Sequence, residues 1–380
     1  VEATPNPFNP GGPMILGSGS IEREPIGVVS GITGYNFPFL LNLAKIFPAL
    51  LAGNTLVLKP SPFTPYSALL FGEIAEQIGL PKGVLNIVTG GVEVGSLLSS
   101  DPRVDMVSFT GSEAVGVSIM SQAAPTLKRV HLELGGKSAN IVFADAKLDE
   151  AVAGAQAAIF AAAGQSCVAG SRLLIERSVF EQVTSRLARA AEQIAVGLPS
   201  DEATRMGPLQ NRRQFEQATR MIEAAEAAGA RVLTGGKRPE GLPDEAQGYF
   251  IAPTVLVDVT PDMEIAQQEV FGPVLIAMAF ENEAEAIQLA NETRFGLAGA
   301  VWSQDVARAH RVAGQLRAGT VWINSYKAIS VMSPFGGFGD SGFGRSSGLD
   351  GLREYTVPQS VWVETAPEAS VAFGYGSGVG

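Results

Sequence analysis

The sequence predicts an α/β protein of two parallel-sheet domains, and three observations carry that prediction. Short apolar runs alternate with longer stretches of helical spacing along most of the chain, the pattern of βαβ units with helices on both faces of a sheet. At 380 residues and 46% hydrophobic content, the chain can bury more than one core. No repeat of about 20 to 50 residues recurs, which excludes a solenoid or propeller.

Residues 5–25 are rich in Pro, Gly and Ser around Met14, Ile15 and Leu16, and read as an extended arm or edge hairpin. The stretch PIGVVSGITGYNFPF places a strand at Ile26, Val28 and Val29, breaks at Gly31 and Gly34, and leads into a helix over 38–51 with Pro48 as an interior kink. Asn36 therefore sits on a strand-to-helix loop. Gly53 and Asn54 end that helix. The strand TLVLK follows over 55–59, then a helix over 66–79 and a strand from Val84. Further strands are expected over 104–109, 130–134 (VHLEL, with Glu133 at its end) and near Ala139, with a helix over 112–122. A helix over 148–163 then delivers the chain to Cys167. Beyond it, helices over 179–196 and 209–229 alternate with strands over 230–233, 254–257, 274–280, 299–302 and 319–323. The second run of alternation predicts a second domain, with the boundary at Gly135 and Gly136. SVWVET alternates like an edge strand, and 366–380 reads as a flexible Gly-rich tail.

Composition narrows the function. The balance of 27 basic against 38 acidic residues gives a net charge of −11 without a Lys/Arg stripe, which argues against nucleic acid. No apolar run reaches the roughly 20 residues needed to cross a bilayer, and the first residues lack the pattern of a signal peptide. A cytoplasmic protein without a membrane partner is expected. One cysteine excludes an internal disulfide, and two histidines, His131 and His310, make a His-rich metal site improbable, so no metal is expected.

The one cysteine, Cys167, lies in AAAGQSCVAGSR. Small residues on both sides leave room for a tight turn and for a second molecule to approach the sulfur, as a nucleophile requires. Residue type alone does not decide the matter, because a lone cysteine is most often a small buried hydrophobe. Other candidates lie where an open α/β sheet places its ligands, at the carboxyl ends of strands: Asn36, Lys59, Thr110, Gly111, Ser112 and Glu133. Gly111 and Ser112 open a helix whose free N–H groups suit an anion such as a pyrophosphate, although Ser112 also reads as a plain N-cap. Lys59 reaches ribose hydroxyls or is a solvated strand end. Glu133 suits a general base facing a cleft, or a salt-bridged strand end. His131, two residues earlier on the same strand face, could pair with the thiol but reads as structural. No GxGxxG fingerprint follows a strand.

Together these stretches carry a resemblance. PIGVVSGITGYNFPF, GNTLVLKPSPFTP, FTGSEAVG, LELGGKSANIVF, GQSCVAGSR, EVFGPV and SPFGGFGDSGFGRSSG, in this order, resemble the aldehyde dehydrogenase superfamily from about Pro25 to Thr356. The resemblance implies a Rossmann-like NAD(P)-binding domain over 26–135, a catalytic domain over 136–340, a returning segment over 341–358, and a small β oligomerisation arm over 7–25 and 359–365. It implies Cys167 as nucleophile, Glu133 as base, Asn36 with the Cys167 N–H as oxyanion hole, and Lys45 near the thiol. It assigns the cofactor, NAD or NADP, to Ile32, Tyr35, Lys59, Ser61, Pro62, Thr110, Gly111, Ser112, Val115, Leu134, Gly135, Glu269 and Phe271. Leu41 and Phe335 would line the aldehyde tunnel. A helix start at Cys167 is the expected source of thiol activation. A homodimer or homotetramer acting on a small aldehyde is implied.

The chain also departs from the family's pattern. Pro62 stands where many NAD-preferring members carry a carboxylate, which removes repulsion toward a 2′-phosphate and leaves NAD and NADP both open. Gly34 and Tyr35 replace the common Pro-Trp pair. Ser346 replaces a glutamate, which puts a carboxylate-lysine proton relay through Lys45 in doubt. Typical members carry a further N-terminal segment, so the chain is either an incomplete piece or a short relative. Two alternatives accompany the main reading: a CoA-acylating relative, against which Glu133 argues, and a non-catalytic homologue.

Overall fold

A computed structural model describes residues 2–4, 14–243 and 246–365. Its architecture is mixed α/β, with two large sheets and one narrow arm.

The first sheet has six strands in the order Gly342–Phe343, Arg129–Glu133, Met106–Thr110, Val28–Ile32, Thr55–Lys59 and Leu85–Ile87. The last five are parallel, and Gly342–Phe343 runs antiparallel along Arg129–Glu133. Alternation across the pleat sorts its cores. Val29, Leu56, Leu58 and Met106 pack with Ile46 and Tyr355 on one side. Ile32, Val107, Phe109 and Leu132 pack with Ile119 and Leu134 on the other. Ser108, which alternates with Val107 and Phe109, faces Tyr355.

The second sheet has seven strands in the order Arg231–Thr234, Thr254–Val257, Val274–Phe280, Arg172–Glu176, Ala139–Val142, Ala298–Trp302 and Thr320–Ile323. Only Arg231–Thr234 is antiparallel. Both large sheets are built on parallel strands, as the sequence predicts, and each adds one antiparallel edge strand. The largest core joins this sheet to the helices Leu148–Phe160, Phe180–Glu192 and Arg212–Ala227.

The arm is an antiparallel sheet of Glu2–Thr4, Ile15–Pro25 and Thr356–Glu364. Its returning strand pairs from Thr356 opposite Pro25, three residues before the expected boundary at 359. Within residues 341–358, Gly342–Phe343 joins the first sheet, Gly348–Glu354 is a helix, and Thr356 opens the arm strand. The expected tail over 366–380 lies outside the described residues.

Several helices depart from expectation. The helix from Leu148 stops at Phe160, because Ala162 and Ala163 take left-handed conformations (φ 55° and 52°). The helices Val92–Ser100, Glu283–Asn291 and Val306–Ala313 are not anticipated by apolar spacing. Two of them carry a capping signal that could have revealed them: Asn282 and Asp305 accept hydrogen bonds from the N–H groups of Glu285 and Arg308. The helix Pro38–Leu51 runs through Pro48.

Candidate active site

The site forms where the strand end at Glu133 and the Cys167 turn meet. Gly135 and Gly136 allow that approach. A Cβ on Gly136 would stand 2.6 Å from the Cys167 carbonyl oxygen, and one on Gly135 would stand 2.2 Å from Glu269 Oε2. A side chain at Gly136 would collide with backbone and one at Gly135 would displace the Glu269 carboxylate, so the two glycines let the Cys167 turn and Glu269 approach one short stretch beside Glu133.

Cys167 is held by a chain of turns. Gly164 (φ +72°) packs so closely on Gly272 that a Cβ there would overlap the Gly272 carbonyl oxygen at 1.9 Å. The Asn36 amide donates to the Gln165 carbonyl at 2.9 Å, which ties the strand-to-helix loop of the first sheet to the cysteine turn. The Gln165 side chain accepts from the Gln210 N–H at 3.0 Å. Cys167 packs with Tyr326 and Phe335 around Val168, Leu297 and Trp322, and the Tyr326 hydroxyl donates to the Val168 carbonyl. Leu41 is half-buried beside Asn36, across Gly34.

The expected helix start at Cys167 is not found. The residue follows the C-terminal end of a helix, in a turn. Burial, then the Glu269 and Glu133 carboxylates, push its thiol up to about 12, against smaller opposing hydrogen bonds from the Val168 and Cys167 N–H groups. The thiol of the free protein is therefore protonated at neutral pH.

Glu133 is buried, and its Oε2 accepts from the Thr110 hydroxyl at 3.3 Å. Lys45 Nζ lies 4.0 Å from Oε2, and His131 Nε2 lies 3.8 Å from Oε1. Lys45 is fully buried because Gly31 lets its helix settle on the sheet, with a hypothetical Gly31 Cβ 3.3 Å from the Lys45 Cβ. Burial lowers the Lys45 ammonium, and the Glu133 charge partly restores it. Burial also pushes Glu269 up to about 7, opposed by the Gly136 N–H that it accepts at 3.1 Å.

The expected cofactor residues fall in one region. Lys59 Nζ donates to the carbonyls of Pro60 and Gly90 at 3.0 and 3.1 Å, so its ammonium is turned back on the strand end. Ser61 is buried and accepts from the Phe63 N–H, while Pro62 is exposed. The Tyr35 ring makes edge contacts with Phe63 and Phe271, each at 6.0 Å. Phe271 is held in a left-handed conformation (φ 55°). Gly111 leads into Ser112, the N-cap of Glu113–Ala123, whose hydroxyl makes no capping bond and is exposed. Val115 is exposed one turn on, while Ile32 and Leu134 are buried beneath. The Gly135 carbonyl accepts from Ser341.

The comparisons with known proteins agree on one family. The aldehyde dehydrogenase family model matches residues 17–361. The chain belongs to that family. It is 46% identical to the betaine aldehyde dehydrogenase of Bacillus subtilis, over 92% of this chain and 71% of the relative. It is 45% identical to a peroxisomal aminoaldehyde dehydrogenase of Pisum sativum, over 94% and 70%. A betaine aldehyde dehydrogenase point mutant from Staphylococcus aureus, crystallised with NAD+, superposes with a TM-score of 0.90 at 41% identity, covering 96% of this chain and 73% of that one. The protein is an NAD(P)-dependent aldehyde dehydrogenase, oxidising an aldehyde to a carboxylic acid through a cysteine adduct.

The residues fit the nicotinamide dinucleotide that this family uses. The helix at Ser112 offers free first-turn N–H groups and an uncapped hydroxyl to a pyrophosphate. Lys59 and Ser61 lie at the adjacent strand end, and the Tyr35 and Phe271 rings sit side by side near Glu269. The sequence reading missed Lys137, which is fully buried, carries an unpartnered Nζ and is coupled to Glu269. Burial, with Arg172 nearby, brings Lys137 down to about 7. Its place in LELGGK was the only signal available. Among the described residues no cluster suits a metal ion, and no helix is long and apolar enough to cross a membrane.

Proposed function

We propose that Cys167 is the nucleophile, Asn36 the oxyanion donor and Glu133 the base of this aldehyde dehydrogenase. The close packing of the Cys167 turn on Gly136, beside Glu133 and Glu269, is the observation that carries the reading. In it the Cys167 thiol gives its proton to solvent, the sulfur bonds to the aldehyde carbon, and the carbonyl oxygen becomes an anion held by the Asn36 amide and the Cys167 N–H. Bound NAD(P)+ supplies the acceptor for the hydride that leaves this carbon. Ile32, Tyr35, Lys59, Ser61, Pro62, Thr110, Gly111, Ser112, Val115, Leu134, Gly135, Glu269 and Phe271 would hold it. The remaining thioester is then hydrolysed. Water gives a proton to Glu133 and adds to the acyl carbon, the carbon–sulfur bond breaks, and the acid leaves the thiolate behind. Mass spectrometry of protein quenched during turnover should find the acyl group on Cys167, and Cys167→Ala should abolish aldehyde-dependent nicotinamide reduction. Acid accumulating without an acyl-enzyme would refute the reading.

The substrate expected is an uncharged aliphatic or aromatic aldehyde. Tyr326 and Phe335 pack with Cys167, and Leu41 and Ala44 would complete apolar and aromatic walls for the approach, with no acidic residue among the four. Lys327, coupled electrostatically to Cys167 and donating to the Ala157 carbonyl at 3.1 Å, disfavours a cationic aldehyde there. A homodimer or homotetramer in the cytoplasm, joined through the arm, completes the proposal. Sedimentation of the protein with and without residues 359–365 tests the arm.

A further inference from the structure

Three buried polar atoms without hydrogen-bond partners meet around the base: Glu133 Oε1, His131 Nε2 and Lys45 Nζ. His131 is completely buried, and it faces Glu133 rather than pairing with the thiol. Strand register builds the arrangement. In the parallel pair, Ser108 lies opposite His131 and Thr110 opposite Glu133. Ser108 Oγ stands 3.1 Å from His131 Nδ1 and 2.9 Å from the Tyr355 hydroxyl. Tyr355 is itself buried in the core beneath the sheet.

The direction of this chain follows from what each group can do. A carboxylate only accepts, so the ring nitrogen facing Glu133 is favoured as N–H. Nδ1 must then accept, and it accepts from Ser108. The Ser108 proton is thereby used, so Ser108 accepts from Tyr355. Every O–H and N–H in the series Tyr355, Ser108, His131 points toward Glu133. The 3.8 Å between His131 Nε2 and Glu133 Oε1 exceeds a hydrogen bond. It is the kind of gap that closes when a substrate complex forms.

We propose that His131 is a positioning residue for the base: it donates from Nε2 to Glu133 Oε1, directed by Tyr355 through Ser108, and so fixes the rotation of the carboxylate whose Oε2 accepts from Thr110. The inference rests on the assignment of Glu133 as base. The groups facing His131 are Glu133, Tyr355, Lys45, Arg345 and Glu354, whose carboxylate accepts from the Arg345 N–H. Burial, with Lys45 and Arg345 nearby, holds the imidazole well below its ordinary range. The ring therefore stays neutral at working pH, with its one proton available at Nε2. The proton that Glu133 takes from water stays on Glu133 or leaves by another route, because His131 is too weak a base to keep it.

The test compares full-length His131→Leu, His131→Gln and Glu133→Gln in stopped-flow and steady-state assays across pH. His131→Leu should leave the first-turnover burst of reduced nicotinamide intact, lower the hydrolysis-limited kcat about tenfold, and change KM for the aldehyde by less than twofold. The acidic limb of its kcat profile should move, because the hydrolytic step loses the donor that holds the base in place. His131→Gln, which can place an N–H near the same point, should restore most of kcat and the wild-type limb. Equal losses in the two variants with an unmoved limb would mean that His131 only fills space, and would overturn the proposal. If His131→Leu does not fold, Tyr355→Phe keeps the packing and removes the first donor. It should lower kcat about threefold with the same limb displacement, and an unmoved limb there overturns the proposal. An unchanged hydrolysis rate in Glu133→Gln would refute the assignment of the base itself, a separate outcome.

Discussion

Replacing Glu133 with Gln removes the one opposite charge beside a completely buried lysine. Lys45 Nζ and Glu133 Oε2 are 4.0 Å apart, with side chains 0% and 7% exposed, so solvent screening is weak. At an effective dielectric of about 20, that separation is worth about 4 kcal/mol, or about three orders of magnitude in the proton affinity of Lys45. Burial already holds Lys45 below its ordinary value, and Glu133 is what raises it. A lysine lowered in this way binds fewer protons folded than unfolded, so its contribution to stability rises with pH up to the unfolded value. Loss of Glu133 extends that window to lower pH. The penalty of Glu133→Gln should therefore be about 3–5 kcal/mol near pH 7 and should be smaller near pH 10, because the lowered Lys45 ammonium of the wild type loses charge as the pH rises. Urea unfolding at both values measures it. In a Lys45→Met background the same substitution should cost far less. A penalty equal at both pH values, or additive with Lys45→Met, would show that the two groups do not interact as charges.

Three further outcomes are expected. With the thiol held near 12, about one Cys167 in 10⁴ is ionised at pH 8, so iodoacetamide labelling of the free enzyme should rise about tenfold per pH unit between about 7 and 10. Glu269→Gln should speed labelling by removing the larger of the two neighbouring charges, and a plateau below about pH 9 would contradict this account. Gly164→Ala forces a Cβ against the Gly272 carbonyl at a left-handed φ. It should destabilise the fold by about 3 kcal/mol or more and displace the Cys167 turn, which thermal unfolding together with labelling would detect. Pro62→Glu should raise KM for NADP+ more than for NAD+, because a carboxylate beside Ser61 and Lys59 repels a 2′-phosphate; an unchanged ratio would place that phosphate elsewhere.

What the sequence by itself determined is local and compositional. The spacing of apolar residues delivered the helix Pro38–Leu51 and the strands Thr55–Lys59, Thr254–Val257 and Val274–Phe280 with their observed bounds. The small residues around a single thiol, in series with LELGGK and EVFGPV, marked Cys167, Glu133 and Glu269. Tertiary structure decided whatever depends on groups far apart in sequence. The left-handed pair Ala162–Ala163 ends a helix that apolar spacing would continue, and it denies Cys167 the helix start that seemed to activate it. Alanine carries no sign of that conformation, and the residue that follows the pair, Gly164, packs against Gly272 from a distant part of the chain. The low value of Lys45 and the setting of His131 follow from burial and from strand register, with Tyr355 arriving from 247 residues beyond Ser108. A sequence names the donors and acceptors; only the assembled sheet brings Tyr355, Ser108 and His131 into line, because each is polar and buried and Ser108 bonds to partners 23 and 247 residues away.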